Sequence, residues 1–168
     1  DRKTHGLSLL PPYINSVNVD KGGEIDDLSG LLDFFRANKH KYVVIANSNI
    51  VLNATLNDFV LQHEESGVDI SVLYNREITR YGSPSLILDL DRRGILRDIL
   101  HNPFKPTSTR CSIGVVVLDR ELLIDLVNED VARGEHDFSV ESLLKRYSQV
   151  RIRGIEYKGT LLRINSIP

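Results

Sequence analysis

Methionine is absent from these 168 residues, the initiator included, and cysteine occurs once. The first absence leads to the expectation of a piece excised from a longer protein, or else of a chain whose modified methionines are not written as such. The second excludes an intramolecular disulfide and a thiolate zinc cage within one chain, and leaves Cys111 as a buried, inert thiol. No apolar run approaches the roughly 20 residues that span a bilayer, and the opening DRKTHG has no apolar signal-peptide core. A cytoplasmic chain without a membrane partner is expected. Charge blocks are missing as well: Lys plus Arg (21) nearly balances Asp plus Glu (23), for a formal net charge of -2. That balance argues against nucleic acid as a partner.

Several chemistries are also missing. Gly22 and Gly23 form neither a P-loop nor a dinucleotide fingerprint. The five histidines, His5, His40, His63, His101 and His136, occur singly, without an i, i+4 pair or an acid or cysteine at metal spacing. No serine sits in a G-x-S-x-G elbow.

What is present reads as one domain, residues 1–168, whose 41% hydrophobic content is enough for a sizeable core. Residues 1–20, with Pro11 and Pro12, read as an irregular lead-in with a short strand around Gly6 to Leu10. Leu28, Leu31, Leu32 and Phe35 fall at i, i+3, i+4 and i+7, the stripe of an amphipathic helix ending near Asn38. A second helix takes Thr55 as its N-cap, puts Leu56, Phe59, Val60 and His63 on one face and stops at Gly67. Strands are expected at 42–46 and 69–74, and the helix between them makes a crossover that implies parallel pairing in one sheet.

Ser85 to Leu90 and Ile95 to Leu100 form a hairpin around Asp91, Arg92, Arg93 and Gly94, where Asp89 and Asp91 serve turn chemistry rather than catalysis. Ser112 to Leu118 is a buried strand. Arg120 to Ala132 is a helix ended by Gly134, and Asp137 or Ser139 caps another that buries Leu143 and Leu144. Val150 to Tyr157 and Thr160 to Ile167 read as two strands around Lys158 and Gly159.

The segment YVVIANSNIVL, Tyr42 to Leu52, is the most informative. Its first five residues suit a strand covered on both faces, and Asn47, Ser48 and Asn49 then break it. In open α/β sheets ligands sit beyond the carboxyl ends of strands, so these three side chains are candidates for lining a pocket; ordinary turn chemistry stays open as their role.

Taken in order, this strand, the hairpin reaching His101, Asn102 and Pro103, the strand SIGVVVLD, Asp137 with Phe138, and the closing LLRINSI resemble the catalytic domain of the bacterial glucose-1-phosphate adenylyltransferase family. Order and spacing carry the likeness rather than any single motif. The resemblance implies an α/β, three-layer Rossmann-like nucleotide-diphospho-sugar transferase fold with a mixed, mainly parallel sheet whose N-terminal part is missing. It also implies Mg²⁺ in competent members, which make ADP-glucose for glycogen synthesis.

The departures matter as much. Where the family's first strand ends in the metal-holding Gly-Asp, this chain has Ser48 and Asn49. The family's Trp-Arg-Asp segment falls on Leu162, Arg163 and Ile164, and its Glu-Lys-Pro segment on His101, Asn102 and Pro103. Its Asp-Phe-Gly-Lys-Asp segment falls on Asp137, Phe138, Ser139, Val140 and Glu141. Two metal carboxylates and one phosphate lysine thus become the neutral Asn49, Ile164 and Asn102, so no catalytic set is intact and no metal is expected to be held.

This pattern resembles the regulatory, second type of subunit, which acts in a hetero-oligomer with a catalytic paralogue. Asn47, Ser48, Asn49, His101, Asn102, Asp137 and Arg163 remain candidates for a pocket that takes a sugar phosphate or nucleotide. Two alternatives stay open: an active sugar-phosphate nucleotidyltransferase recruiting Asp137 or Glu141, and a non-catalytic module that binds a sugar nucleotide or effector.

Overall fold

The computed structural model describes residues 32–76, 86–101, 108–134 and 139–163. The expected strand near Gly6 to Leu10 lies outside them. The chain divides into two compact units, Asp1–Lys39 with Ile124–Phe138, and His40–Leu123 with Ser139–Pro168.

In the first unit, α1 (Leu32–Ala37) buries Leu32 and leaves Phe34 exposed. Its end matches the expected stop near Asn38, whose N–H donates to the Phe35 carbonyl. The later part of α3 (Arg120–Arg133) also belongs to this unit and buries Ile124, Leu126 and Val127. Gly134, at φ +70°, ends α3 as expected.

The second unit holds β1 (Tyr42–Ala46), β2 (Ile50–Leu52), α2 (Asn57–Ser66), β3 (Ile70–Asn75), β4 (Leu86–Leu90), β5 (Leu96–His101) and β6 (Cys111–Asp119). It continues through α4 (Val140–Leu144), a 3₁₀ turn (Lys145–Ser148), β7 (Ile152–Glu156) and β8 (Leu161–Arg163). Six strands make one mixed sheet in the order β5-β4-β6-β3-β7, with β1 on β6. The class is α/β, as expected.

The strand order departs from the simple crossover. β1 and β3 run the same way, but they do not pair; β6 lies between them, antiparallel to both. β7 then pairs parallel to β3. Since β1 hydrogen-bonds to β6 alone among the described strands, Tyr42 to Ile45 are only half-buried and Ala46 is exposed, rather than covered on both faces. Full burial falls instead on β3, flanked by β6 and β7.

The core grows from β6. Ile113, Val115 and Val117 join Phe59 of α2, Leu73 and Ile155 in one buried cluster, against which Val44, Leu56 and Val60 also pack. Each fully buried aliphatic chain contributes about 1.5–3 kcal/mol. This packing, and not a cap, sets the start of α2: its N-cap position is Leu56 rather than Thr55, with no side-chain hydrogen bond. The predicted stop holds, with Gly67 at φ +61°. Cys111 is buried, and no helix among the described residues is long and apolar enough to cross a membrane.

The β4–β5 hairpin forms as predicted, and Asp91 builds its turn. Its Oδ1 accepts from the N–H groups of Arg93 (2.8 Å) and Ile95 (2.9 Å), and Oδ2 from the Arg97 guanidinium (2.9 Å). The Ile95 N–H foremost, with Arg93 and Arg97, holds the Asp91 carboxyl below its usual range.

Candidate functional site

Three elements meet where β1 ends. Asn47, Ser48 and Asn49 follow Ala46 as an exposed turn, and the chain then enters β2. β2 does not rejoin the large sheet. It pairs antiparallel with β8, setting Ile50 opposite Arg163, Val51 opposite Leu162 and Leu52 opposite Leu161. The two final strands therefore do not pair with each other; β8 crosses to β2 instead. This places Arg163 in register opposite Ile50, the residue after the turn that carries Asn49.

A bulge anchors the turn from below. Between the pairs Val72–Val116 and Tyr74–Ser112, β3 advances two residues while β6 advances four. Gly114 sits within that excess at φ +78°. Its carbonyl accepts the Asn47 N–H at 2.9 Å, and its own N–H donates to Ser112 Oγ at 3.2 Å. Gly114 was not among the residues expected to matter, although an isolated glycine inside a strand run is the usual local sign of a bulge or a close backbone approach.

The carboxyl ends of β3 and β7 lie on the same side as the turn, since both strands run with β1. There Arg76 grips Glu156, with Nε to Oε1 at 3.0 Å and Nη2 to Oε2 at 3.4 Å. The pair holds the Glu156 carboxyl below, and the Arg76 guanidinium above, its ordinary value. Neither residue stood out in the sequence, where they lie far apart.

His101 is engaged elsewhere. At the end of β5 its Nε2 lies 3.2 Å from Oε1 of Glu141, in the first turn of α4, and Lys145 Nζ reaches the same oxygen at 2.8 Å. Ser139 supplies the N-cap of α4, one of the two caps anticipated. Asn102, Asp137 and Ile164 lie outside the described residues, as does the side chain of Arg163.

The Mg²⁺ ion implied by the resemblance does not fit the donors present. Neither Asn47-Ser48-Asn49-Ile50-Val51-Leu52-Asn53 nor Thr160-Leu161-Leu162-Arg163-Ile164-Asn165, the segments around the β2–β8 pair, contains a carboxylate. Amides and hydroxyls in water bind a hard dication poorly without one. Among the described residues no three His, Cys, Asp or Glu side chains come together as a metal site. What the turn offers is neutral hydrogen bonding, two amides and a hydroxyl, beside a strand that carries one cation.

Open α/β sheets take up ligands beyond the carboxyl ends of their strands, and the polar 47–49 turn lies at such an end. No family model matches the chain. It is similar to the glucose-1-phosphate adenylyltransferase of Thermotoga neapolitana, 28% identical over 152 residues, which cover 86% of this chain and 35% of that protein. The enzymes of the same name from Thermotoga maritima (29% over 145 residues, 82% and 33%) and Thermosipho africanus (26% over 168 residues, 95% and 39%) align comparably. The chain thus spans about a third of the length of these curated relatives.

Proposed function

We propose that this chain is part of the nucleotidyltransferase domain of a regulatory, catalytically degenerate glucose-1-phosphate adenylyltransferase subunit. In this reading it acts in the cytoplasm, in glycogen biosynthesis, within a hetero-oligomer whose catalytic paralogue converts ATP and glucose-1-phosphate to ADP-glucose and diphosphate. One observation carries the reading. The β2–β8 pairing aligns Arg163 with the turn bearing Asn49, and neither segment supplies a carboxylate. Without that charge the triphosphate's metal has no protein ligand there, while a sugar phosphate or nucleotide can still meet the amides of Asn47 and Asn49 and the hydroxyl of Ser48.

The competing reading, an active enzyme that recruits Asp137 or Glu141, is weakened at its second residue. Glu141 already shares one oxygen between His101 and Lys145. A third reading, a module that binds a sugar nucleotide or effector without chemistry, is separated by calorimetry with ADP-glucose, ATP and sugar phosphates in the absence of any paralogue.

The deciding assay supplies the purified full-length protein with ATP, glucose-1-phosphate and Mg²⁺. Almost no ADP-glucose is expected from it alone, and a changed rate or effector response when a competent paralogue is added. Unassisted turnover at the rate of an ordinary adenylyltransferase overturns the proposal.

A further inference from the structure

The link from β7 to β8 is short: Tyr157, Lys158, Gly159 and Thr160. A connection of that length ordinarily folds the second strand back beside the first as a hairpin. Here β8 lies on β2 instead. Part of the reason is that β7 carries partners on both edges. One edge pairs with β3; on the other, Arg153 bridges to Ile95 and the Gly154 N–H donates to the Gly94 carbonyl at 2.9 Å. That accounts for β8 leaving β7, but not for its stopping on β2 in one register.

Tyr157 supplies the stop. Its N–H donates to the Tyr74 carbonyl at 2.7 Å, which pins its backbone to the end of β3, and the residue packs against the buried cluster of Leu73, Ile113 and Ile155. From that anchored position its hydroxyl donates to the Thr160 carbonyl at 2.9 Å. The same carbonyl accepts the Asn53 N–H at 3.3 Å, one step beyond the pairing of Leu52 with Leu161. One oxygen thus ties the β7–β8 link, the start of β8 and the end of β2 together.

The ring reaches this oxygen because residue 159 has no side chain. A β-carbon on Gly159 would stand 2.6 Å from Tyr157 Cζ and 3.0 Å from Cε2. The ribbon has little else to hold it. Ile50, Leu52 and Leu161 pack inward, whereas Val51 and Leu162, opposite each other, are 48% and 61% exposed. A lone two-stranded ribbon is marginal in water, so a hydrogen bond at its open end weighs on how often it opens.

We propose that Tyr157 is a positioning residue whose hydroxyl latches β8 onto β2 and so fixes the backbone of Arg163 opposite Ile50, beside the 47–49 turn. The consequence for ligand binding rests on the sugar-nucleotide reading of that turn.

The test is Tyr157→Phe in the full chain, which removes the hydroxyl and keeps the ring. Amide hydrogen exchange of Asn53 and of β2 and β8 is expected to speed about fivefold, the weight of one net hydrogen bond. Gly159→Ala, which displaces the ring, is expected to open the ribbon at least as much. A role in general packing would lower the urea midpoint and leave the ribbon's own opening unchanged, and that result overturns the proposal. Calorimetry with ADP-glucose then asks whether the latch acts through Arg163. Tyr157→Phe is expected to weaken binding measurably, by no more than about fivefold, because affinity falls with the fraction of molecules whose site is assembled. In an Arg163→Ala background it is expected to weaken it no further. Undiminished affinity, or the same loss in both backgrounds, overturns the positioning role. If the wild-type chain binds no ADP-glucose, the sugar-nucleotide reading fails, while exchange of the ribbon amides still decides whether Tyr157 holds β8 on β2.

Discussion

The side chain of Asn47 lies across the α-carbon of Gly114. A β-carbon built on Gly114 would stand 2.8 Å from Asn47 Cγ and 3.3 Å from its Cβ, while the Asn47 N–H donates to the Gly114 carbonyl at 2.9 Å. The missing side chain on β6 is thus what lets the end of β1 settle onto the bulge and present its polar turn.

Gly114→Ala is accordingly expected to destabilise the protein by about 2–4 kcal/mol, from a left-handed backbone that alanine resists and a collision with Asn47. Urea unfolding of the full chain measures it. Adding Asn47→Ala should recover the collision but not the backbone strain, so the double variant falls between wild type and Gly114→Ala. A double variant no better than the single one would place the whole cost in the backbone.

How much of this was legible beforehand depended on whether the signal was local. The β-branched run of β6, the glycine that stops α2 and the aspartate that builds the β4–β5 turn all act within a few residues, and all appear where expected. Insertion of β6 between β1 and β3 is different. It joins segments distant in sequence, and a crossover helix looks the same whether the strands it links touch or not. The β2–β8 pairing is non-local in the same way, and three residues long on each side. Thr55 misled because a polar residue before an apolar stripe signals a cap, whereas here burial of Phe59 fixes the helix. The contact of His101 with Glu141 is non-local too, since it joins the end of β5 to the first turn of α4.

The start of α4 depends on a reciprocal pair of serines. The Ser142 N–H donates to Ser139 Oγ at 3.2 Å and the Ser139 N–H donates to Ser142 Oγ at 2.8 Å, a capping box built with serine in place of the usual glutamate. Ser139→Ala should cost about 1 kcal/mol. Ser142→Ala added to it should cost less than its own effect in the wild-type chain, since the two act as one unit. The helix is only five residues long yet carries the fully buried Leu143 and Leu144, so the loss should register in global urea unfolding rather than as local fraying.

His63 gives stability a pH dependence. The ring is buried, its Nδ1 lies 2.8 Å from Ser71 Oγ, and its plane stands edge-on to Tyr42 at 5.3 Å between centroids. Burial lowers its pKa below the ordinary 6.5; Lys41 acts in the same sense, and Asp119, Asp69 and Glu64 act against it. Between 6.5 and the lowered folded value the unfolded chain takes up a proton that the folded one refuses. The His63 contribution is therefore complete above 6.5 and is lost progressively as pH falls toward the folded value. Unfolding midpoints across about pH 5 to 7.5 should slope upward with pH in wild type, and should flatten in the His63→Leu, Ser71→Ala double variant, which removes the titrating ring and its buried partner together. An unchanged slope in that variant would assign the dependence to another group.

Restoring charge at the β2–β8 corner addresses the candidate site directly. If Asn49 and Ile164 stand where competent enzymes hold the metal, then Asn49→Asp with Ile164→Asp puts back two carboxylates in segments that the β2–β8 pairing brings together. The double variant should bind Mn²⁺ or Mg²⁺ in calorimetry, more tightly with ATP present, because a hard cation draws on both protein carboxylates and phosphate oxygens. Each single variant should bind more weakly than the pair, by about tenfold or more, since one carboxylate supplies half the protein's charge. The wild-type chain should give no comparable heat. A double variant as indifferent to metal as wild type would mean that this corner is not the metal position, and the degenerate-subunit reading would lose its structural support even if the chain alone proved inactive.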